Sequence, residues 1–341
     1  MRRVLLSGTT LLLSVALSLG AAELLLRVTG RMPIRSPLAL LPRAVIHEPD
    51  PSLGWRNKPG AFVWPGSPGD IRLTFWQGGR RATAPADHDE RPDVVILGCS
   101  ITQGWAVSDD ETYAWKLQEQ FPELRVVNLG TAGYGTYQSL LAFERYLTET
   151  ADMPRLVIYG FGDFHEMRNV ASSGWLRSLT ANSDVTDVKV PFALLGTDGA
   201  LLRYMPETPH AWPLRGHLAS VAFLETNYTD FRTRDRTRAQ RQVTESLLVE
   251  LDRRARERGA RLLVALIAML HPQATEHYAA FLERHQTAVV NCVHPQFFDP
   301  HMKVRKYGHP NARLNAHWAT CIGEAMRRMG LPESADRAPS P

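Results

Sequence analysis

The sequence predicts an α/β fold: a three-layer α/β/α sandwich with a central parallel sheet, preceded by one N-terminal transmembrane helix. Three observations carry that expectation. From Asp93 onward, short runs that are apolar throughout alternate with amphipathic segments of helical spacing. Runs without polar alternation belong to strands buried on both faces, and strand–helix alternation joins parallel neighbours. At the other end, the apolar run from Val4 to Ala22 is about long enough to cross a bilayer as a helix.

Taken in order, residues 1–30 read as a signal anchor. Arg2 and Arg3 would hold the N-terminus in the cytoplasm, so the rest of the chain would lie in the periplasm or outside the cell, on a single-pass protein of the inner membrane. A cleavable signal is the rival reading, with Gly20, Ala21 and Ala22 as small residues near a cut. The apolar pattern resumes at Leu24, Leu25, Leu26 and Val28, which favours an uncleaved anchor with Glu23 near the outer interface. Residues 31–92 are rich in Pro, Gly and Arg and read as a stalk or irregular extension. Within them, 70–81 has the alternation of a strand and a turn.

The domain proper is expected over 93–330. Strands are expected at 93–98, 124–130, 155–160, 261–268 and 288–293. Helices are expected at 111–121, 135–149, 242–259, 275–286 and about 311–329. An insertion at about 170–240 breaks the rhythm and is either a shaper of the binding site or a packing decoration. The tail 331–341 reads as disordered.

The chain has 341 residues with 44% hydrophobic and 22% charged, enough for a sizeable core, and a formal net charge of +4. Much of the basic excess is local, as in FRTRDRTRAQR at 231–241. That run lacks aromatic interleaving and contains Asp235, so it reads as a solvated stretch and no nucleic-acid partner is expected. Of three cysteines, Cys99 follows the first strand. Cys292 and Cys321 are either a disulfide in an oxidising compartment or two buried thiols.

The stretch VVILGCSITQG, 94–104, places a thiol and a hydroxyl side by side at the end of a buried strand. Ligands of open parallel sheets bind beyond the carboxyl ends of the strands. On position alone, Ser100 reads equally as a nucleophile or as a helix N-cap. Three further segments occupy comparable positions: NLGTAGYGTYQ (128–138), YGFGDFHEMRN (159–169) and YGHPNARLNAHWA (307–319). A serine, glycine amides and a late histidine are the parts of an acyl-transfer site. His294, His301, His309 and His317 form no metal spacing with acidic residues, and His165 with Glu166 forms none either, so neither metal nor cofactor is expected.

These segments, over 93–330 with a gap at the insertion, resemble the four ordered blocks of the SGNH, or GDSL-type, hydrolases. The resemblance implies a flavodoxin-like SGNH fold and a serine esterase. Ser100 in Gly98-Cys99-Ser100 fills the nucleophile position, and Cys99 stands where the family has a non-attacking Asp. Gly133 matches the glycine whose amide helps form the oxyanion hole, beside the Ser100 amide. Gly160-Phe161-Gly162-Asp163 matches the Gly-x-Asn-Asp block, with Gly162 in place of the Asn and as the third oxyanion position beside Ser100 and Gly133. His309-Pro310 matches the catalytic His-Pro, with Lys306 and Tyr307 where an Asp would precede it. Asp299 ranks first as the missing carboxylate, ahead of Asp163 and Glu166, and a Ser–His pair oriented by a carbonyl or by water is also possible. Asn169 or a backbone amide would have to replace the Asn at 162.

The implied substrate is an acylated carbohydrate or lipid ester of the cell envelope, with envelope polysaccharide machinery as a partner. Two other readings stay open. One is an O-acyltransferase using the same acyl-enzyme. The other is a degenerate domain that binds glycans through tryptophans such as Trp175 and Trp212.

Overall fold

A computed structural model describes residues 2–35, 45–66, 69–87, 93–150, 153–183, 185 and 188–331. In chain order the helix α1 (Arg2–Val28) is followed by four short strands, β1 (His47–Asp50), β2 (Gly54–Asn57), β3 (Gly60–Trp64) and β4 (Ile71–Phe75). Then come β5 (Asp93–Gly98), α2 (Ser100–Gln103), α3 (Tyr113–Gln120), β6 (Arg125–Asn128), α4 (Thr136–Glu149) and β7 (Leu156–Phe161). After β7 comes α5 (His165–Asn169), and the insertion then holds α6 (Ser173–Asn182), the strands β8 (Val190–Leu195) and β9 (Leu201–Glu207), and α7 (Ala219–Arg238). The chain closes with α8 (Gln240–Glu257), β10 (Arg261–Leu266), α9 (Pro272–Arg284), β11 (Ala288–Asn291) and α10 (Ala312–Arg328).

The expected parallel sheet is present. Its five strands lie in the order β11-β10-β7-β5-β6, and every neighbouring pair is parallel. Counted by themselves these strands run 2-1-3-4-5, the flavodoxin-like order, whose switch point lies between the first and third strands. Here that point falls between β5 and β7, with Gly98 level with Gly160.

The apolar strands explain the three layers. Val95, Leu97, Val157 and Tyr159 face α4, α8 and α9, and meet Leu140, Phe143, Leu247, Leu251 and Tyr278. Val94, Ile96 and Ile158 face the other way, against Tyr113 and Leu117 of α3 and Leu314, Trp318 and Ile322 of α10. Alternate residues of one strand thus feed two cores, so the strand interiors are apolar on both faces. Cys292 and Cys321 form a disulfide with a Cα separation of 5.8 Å, tying the end of β11 to α10.

Residues 31–92, expected as a stalk or irregular extension, are ordered against the domain wherever they are described; 36–44, 67–68 and 88–92 lie outside the described residues. β1 with β2 and β3 with β4 form antiparallel pairs. Trp64, Leu73 and Phe75 are buried in a small core with Trp105 and Tyr307. Beyond β4, the Arg81 amide donates to the Asn128 carbonyl at 2.9 Å and the Thr83 hydroxyl to the Val126 carbonyl at 2.7 Å. The extension therefore covers the edge of β6, which would otherwise offer unpaired backbone groups. The buried Arg81 guanidinium locks this arrangement by donating to the carbonyls of Gln103 and Val107, each at 3.0 Å, and by pairing with Asp109. The segment holds its aromatic residues because they have a core to enter, which Pro and Gly content alone did not disclose.

The insertion contains a hairpin that its sequence rhythm did not disclose, β8 and β9 around Gly196–Ala200, flanked by α6 and α7. The tail from 332 onward lies outside the described residues. Among the described residues one helix, over Thr10–Val28, is long and apolar enough to cross a membrane as a single span or to act as a signal sequence.

Candidate active site

β5 is apolar up to Gly98, and there the chain must turn. Gly98 has φ +153°, and a Cβ on it would collide with the Thr102 side chain and lie 3.1 Å from the Gly160 carbonyl. Only glycine fits that turn. It carries Cys99 and Ser100 past the carboxyl end of the sheet, at the switch point. Cys99, not Ser100, occupies the N-cap position and makes no side-chain cap bond. Cys99 is buried with Ile96, Ala114 and Leu314 as a free thiol. Ser100 is thus not used as a cap, and its Oγ lies 3.2 Å from Nε2 of His309.

His309 comes from the loop before α10. Its Nδ1 lies 3.1 Å from the Tyr307 carbonyl. A carbonyl only accepts, so the neutral imidazole carries its proton on Nδ1 and leaves the Nε2 lone pair for the Ser100 hydroxyl. The loop holds its shape through the Val304 amide, which donates to the His309 carbonyl at 2.7 Å, and through the Tyr307 hydroxyl, which donates to Pro65 of the extension at 2.8 Å. Trp105 lies against the imidazole with ring centroids 4.6 Å apart, and Trp64 packs on Trp105 at 4.7 Å. Burial is the main cause that pushes His309 down to about 4; the charges of Arg168 and Lys303 act the same way, and the bond to Tyr307 opposes them.

Asp299 is not the partner of this histidine. Its carboxylate caps a short 3-10 turn and accepts from the His301 amide at 2.8 Å. The main-chain carbonyl of Tyr307 stands where a carboxylate was expected, because the loop folds back on itself within two residues. Asp163 and Glu166 are also engaged elsewhere. Asp163 accepts from the Leu270 and His271 amides at 2.9 and 3.1 Å, and Glu166 accepts from the Tyr278 hydroxyl at 2.9 Å.

Gly133 follows β6 in a loop pinned from several sides. The Thr131 amide donates to the Gly98 carbonyl at 3.1 Å, and Trp55 Nε1 of the extension donates to the Ala132 carbonyl at 2.8 Å. Gly133 has φ +86°, and a Cβ on it would sit 2.8 Å from the Trp55 ring and 3.3 Å from Trp175. Gly162 follows β7. A Cβ there would lie 2.5 Å from the Phe164 ring and 2.8 Å from the Ala268 carbonyl, so the pocket that would hold an asparagine side chain is filled. Asn169 does not replace it. Its amide group donates to Thr136 and Thr244 at 3.0 and 2.8 Å, and its Oδ1 accepts from the Tyr137 amide at 3.1 Å.

One neighbour escaped the sequence reading. Arg168 stacks between Phe164 and Trp175, 4.6 Å from each ring centroid, and its guanidinium donates to the Tyr134 carbonyl at 2.8 Å. Among the described residues it has no carboxylate partner, so an unpaired cation lies against the Gly133 loop. Its position one turn past the third block was the available signal.

Trp175 is thus committed to Arg168 and the Gly133 loop. Trp212 lines a separate cavity of about 490 Å³ in the insertion, which Ser100 and His309 do not line. Of the other histidines, His294 and His317 meet ring to ring at 4.7 Å, and His317 Nε2 lies 3.1 Å from the Cys292 carbonyl. His165 Nδ1 meets the Tyr159 hydroxyl at 2.8 Å in the core.

No family model matches the chain, and no curated protein matches it. Among solved structures, it is similar to a member of the lipolytic protein G-D-S-L family from Veillonella parvula, at 12% identity and a TM-score of 0.41 over 69% of this chain and 98% of that one. It is also similar to an acetylxylan esterase from Geobacillus stearothermophilus, solved as a catalytic mutant, at 12% identity and 0.39 over 74% and 100%. A third is an SGNH-hydrolase family esterase, at 15% identity and 0.37 over 72% and 100%. Many of the structures that this chain is similar to are thus SGNH and G-D-S-L hydrolases, at low sequence identity.

Proposed function

We propose that the chain is a membrane-anchored serine esterase of the SGNH type, held by α1 with its domain outside the cytoplasm. The observation that carries this reading is the Ser100 Oγ to His309 Nε2 distance of 3.2 Å, with Nδ1 tied to a carbonyl that can only accept. In the reaction, Ser100 attacks an ester carbonyl while Nε2 takes the hydroxyl proton. The imidazolium keeps its orientation because both of its N–H groups still have acceptors. The amides of Ser100 and Gly133 receive the oxyanion, and the nearby charge of Arg168 favours its formation. His309 then returns the proton to the leaving alcohol. Water, activated by the same imidazole, cleaves the acyl-enzyme.

The substrate proposed is an ester of an acylated envelope carbohydrate or lipid, which follows from the anchor and the family resemblance. Gly162 and the lack of a carboxylate on His309 among the described residues favour a second reading, a domain that binds glycans without cleaving them. Labelling of the full chain with a fluorophosphonate, beside Ser100→Ala and His309→Ala, separates the two. An esterase gives labelling that both variants lose. A folded wild-type chain that takes no label is a binding domain.

A further inference from the structure

α7 is built inside out. Ala222, Glu225 and Thr233 lie on its buried side. Its outward side carries Leu224 and Phe231, 55% and 78% exposed, and Tyr228, 50% exposed, at the edge where its ring meets Trp212 of the insertion cavity. These three recur at helical spacing and form one stripe. A helix facing water has the opposite distribution, so the surroundings of this stripe are not water alone.

Two further observations say what those surroundings are. First, α7 starts at the outer end of α1. Both carboxylate oxygens of Glu23 receive the first amides of α7, from Ala219 and Ser220, each at 2.8 Å. Arg27 donates to the His217 carbonyl at 2.7 Å, and the Arg31 guanidinium stacks on Phe223 at 4.5 Å. The start of α7, one turn before the stripe, is therefore fixed at the outer end of the apolar span Thr10–Val28. Leu214 in the preceding turn and Met32 just after α1 add exposed apolar surface at the same junction, where the Ile34 amide donates to the Arg215 carbonyl at 2.9 Å. Second, at 3.6 residues per turn, Arg232 and Arg234 flank the stripe on its two sides. Long basic side chains in that position keep their heads at phosphate level while the stripe enters the apolar layer. The stripe ends where the charged end of α7 begins, at the Asp235–Arg238 pair.

We propose that the Leu224–Tyr228–Phe231 face of α7 is a second membrane-contact element, bedded in the outer interface of an anionic bilayer beside α1. The proposal rests on the reading of α1 as an uncleaved anchor. With both helices engaged, the domain is held at one height and one tilt rather than swinging on a tether.

The test uses the full chain in nanodiscs of mixed phosphatidylcholine and phosphatidylglycerol. Phe231→Cys carries an environment-sensitive NBD label, and Glu324→Cys on α10, in the opposite helical layer, is the reference. Cys99 is buried and the other two cysteines are bonded, so the new thiol takes the label. Lipids bearing a shallow nitroxide are expected to quench the label at 231 several-fold more than at 324. Adding Leu224→Glu and Tyr228→Glu is expected to remove that contrast. Equal quenching at the two sites overturns the proposal. So does blue-shifted but unquenched emission that grows with protein density, which would assign the stripe to a second copy of the chain. Release of the chain by carbonate washing would overturn the anchor reading itself, and is read separately from the quenching contrast.

Discussion

His309 takes its orientation from the carbonyl of Tyr307, two residues before it, at 3.1 Å, while its other nitrogen reaches Ser100 across the sheet at 3.2 Å. A neutral carbonyl fixes the tautomer as a carboxylate would, but it stabilises an imidazolium less. Rate in this site must therefore depend more on the oxyanion side.

If the orienter is main chain, the upstream carboxylate is dispensable. Asp299→Ala should leave fluorophosphonate labelling within about two-fold of wild type, while loss of its cap costs about 1 kcal/mol. Labelling rates and urea midpoints measured together decide this. A loss of labelling comparable to that of Ser100→Ala, about 10³-fold or more, would return Asp299 to the site.

The low pKa of His309 sets the pH dependence. The base works when neutral, so activity is full above a pKa of about 4 and falls as pH drops through it. In kcat/KM profiles with an activated acetate ester, the acid limb should lie well below the ordinary histidine range. Arg168 is one of the charges that lowers this pKa, so Arg168→Met should move the acid limb upward and also slow the reaction. An unmoved limb would make Arg168 a packing residue only.

Gly133→Ala should be severe for two reasons. A left-handed backbone at a residue with a Cβ costs about 1–2 kcal/mol, and the new methyl meets Trp55 at 2.8 Å. We expect the acylation rate to fall about 10²-fold, the scale of losing an oxyanion donor. Trp55→Ala added to Gly133→Ala should recover part of the rate by removing the collision. If the double variant is no faster, the backbone conformation, rather than the contact, is responsible.

Reduction should loosen one corner without dismantling the site. The Cys292–Cys321 bridge closes a segment with a sequence separation of 29, for which the chain-entropy relation gives about 3.6 kcal/mol. Cys292→Ala with Cys321→Ala should lower the thermal midpoint while labelling of Ser100 at room temperature persists.

Much of this was legible in sequence because the physics is local. Runs such as Val94–Leu97 can only be strands buried on both faces, and glycines at strand ends mark where a chain turns over a sheet. Position on the rim left Ser100 equally a nucleophile or a cap, and it was the resemblance of the ordered blocks that singled out Ser100 and His309. What escaped was settled by packing across long separations. Trp55 and Trp64 sit in a segment whose Pro and Gly content suggests a stalk, yet each braces one side of the site. The Tyr307 carbonyl is invisible to any reading of side chains. Arg168 looks like a surface residue of a short helix until Phe164 and Trp175 are seen on either side of it.

The Ser100–His309 pair is separated by 209 residues of chain. Contacts of such separation form late, since loop closure must precede them. The serine turn and its neighbouring strands can assemble while the polypeptide is still emerging, but the histidine loop arrives 209 residues later. A partly made chain that stops short of His309 therefore carries an inert hydroxyl, and reactivity appears only once that loop has docked. Appearance of labelling during synthesis would thus time the docking of the histidine loop on the serine turn.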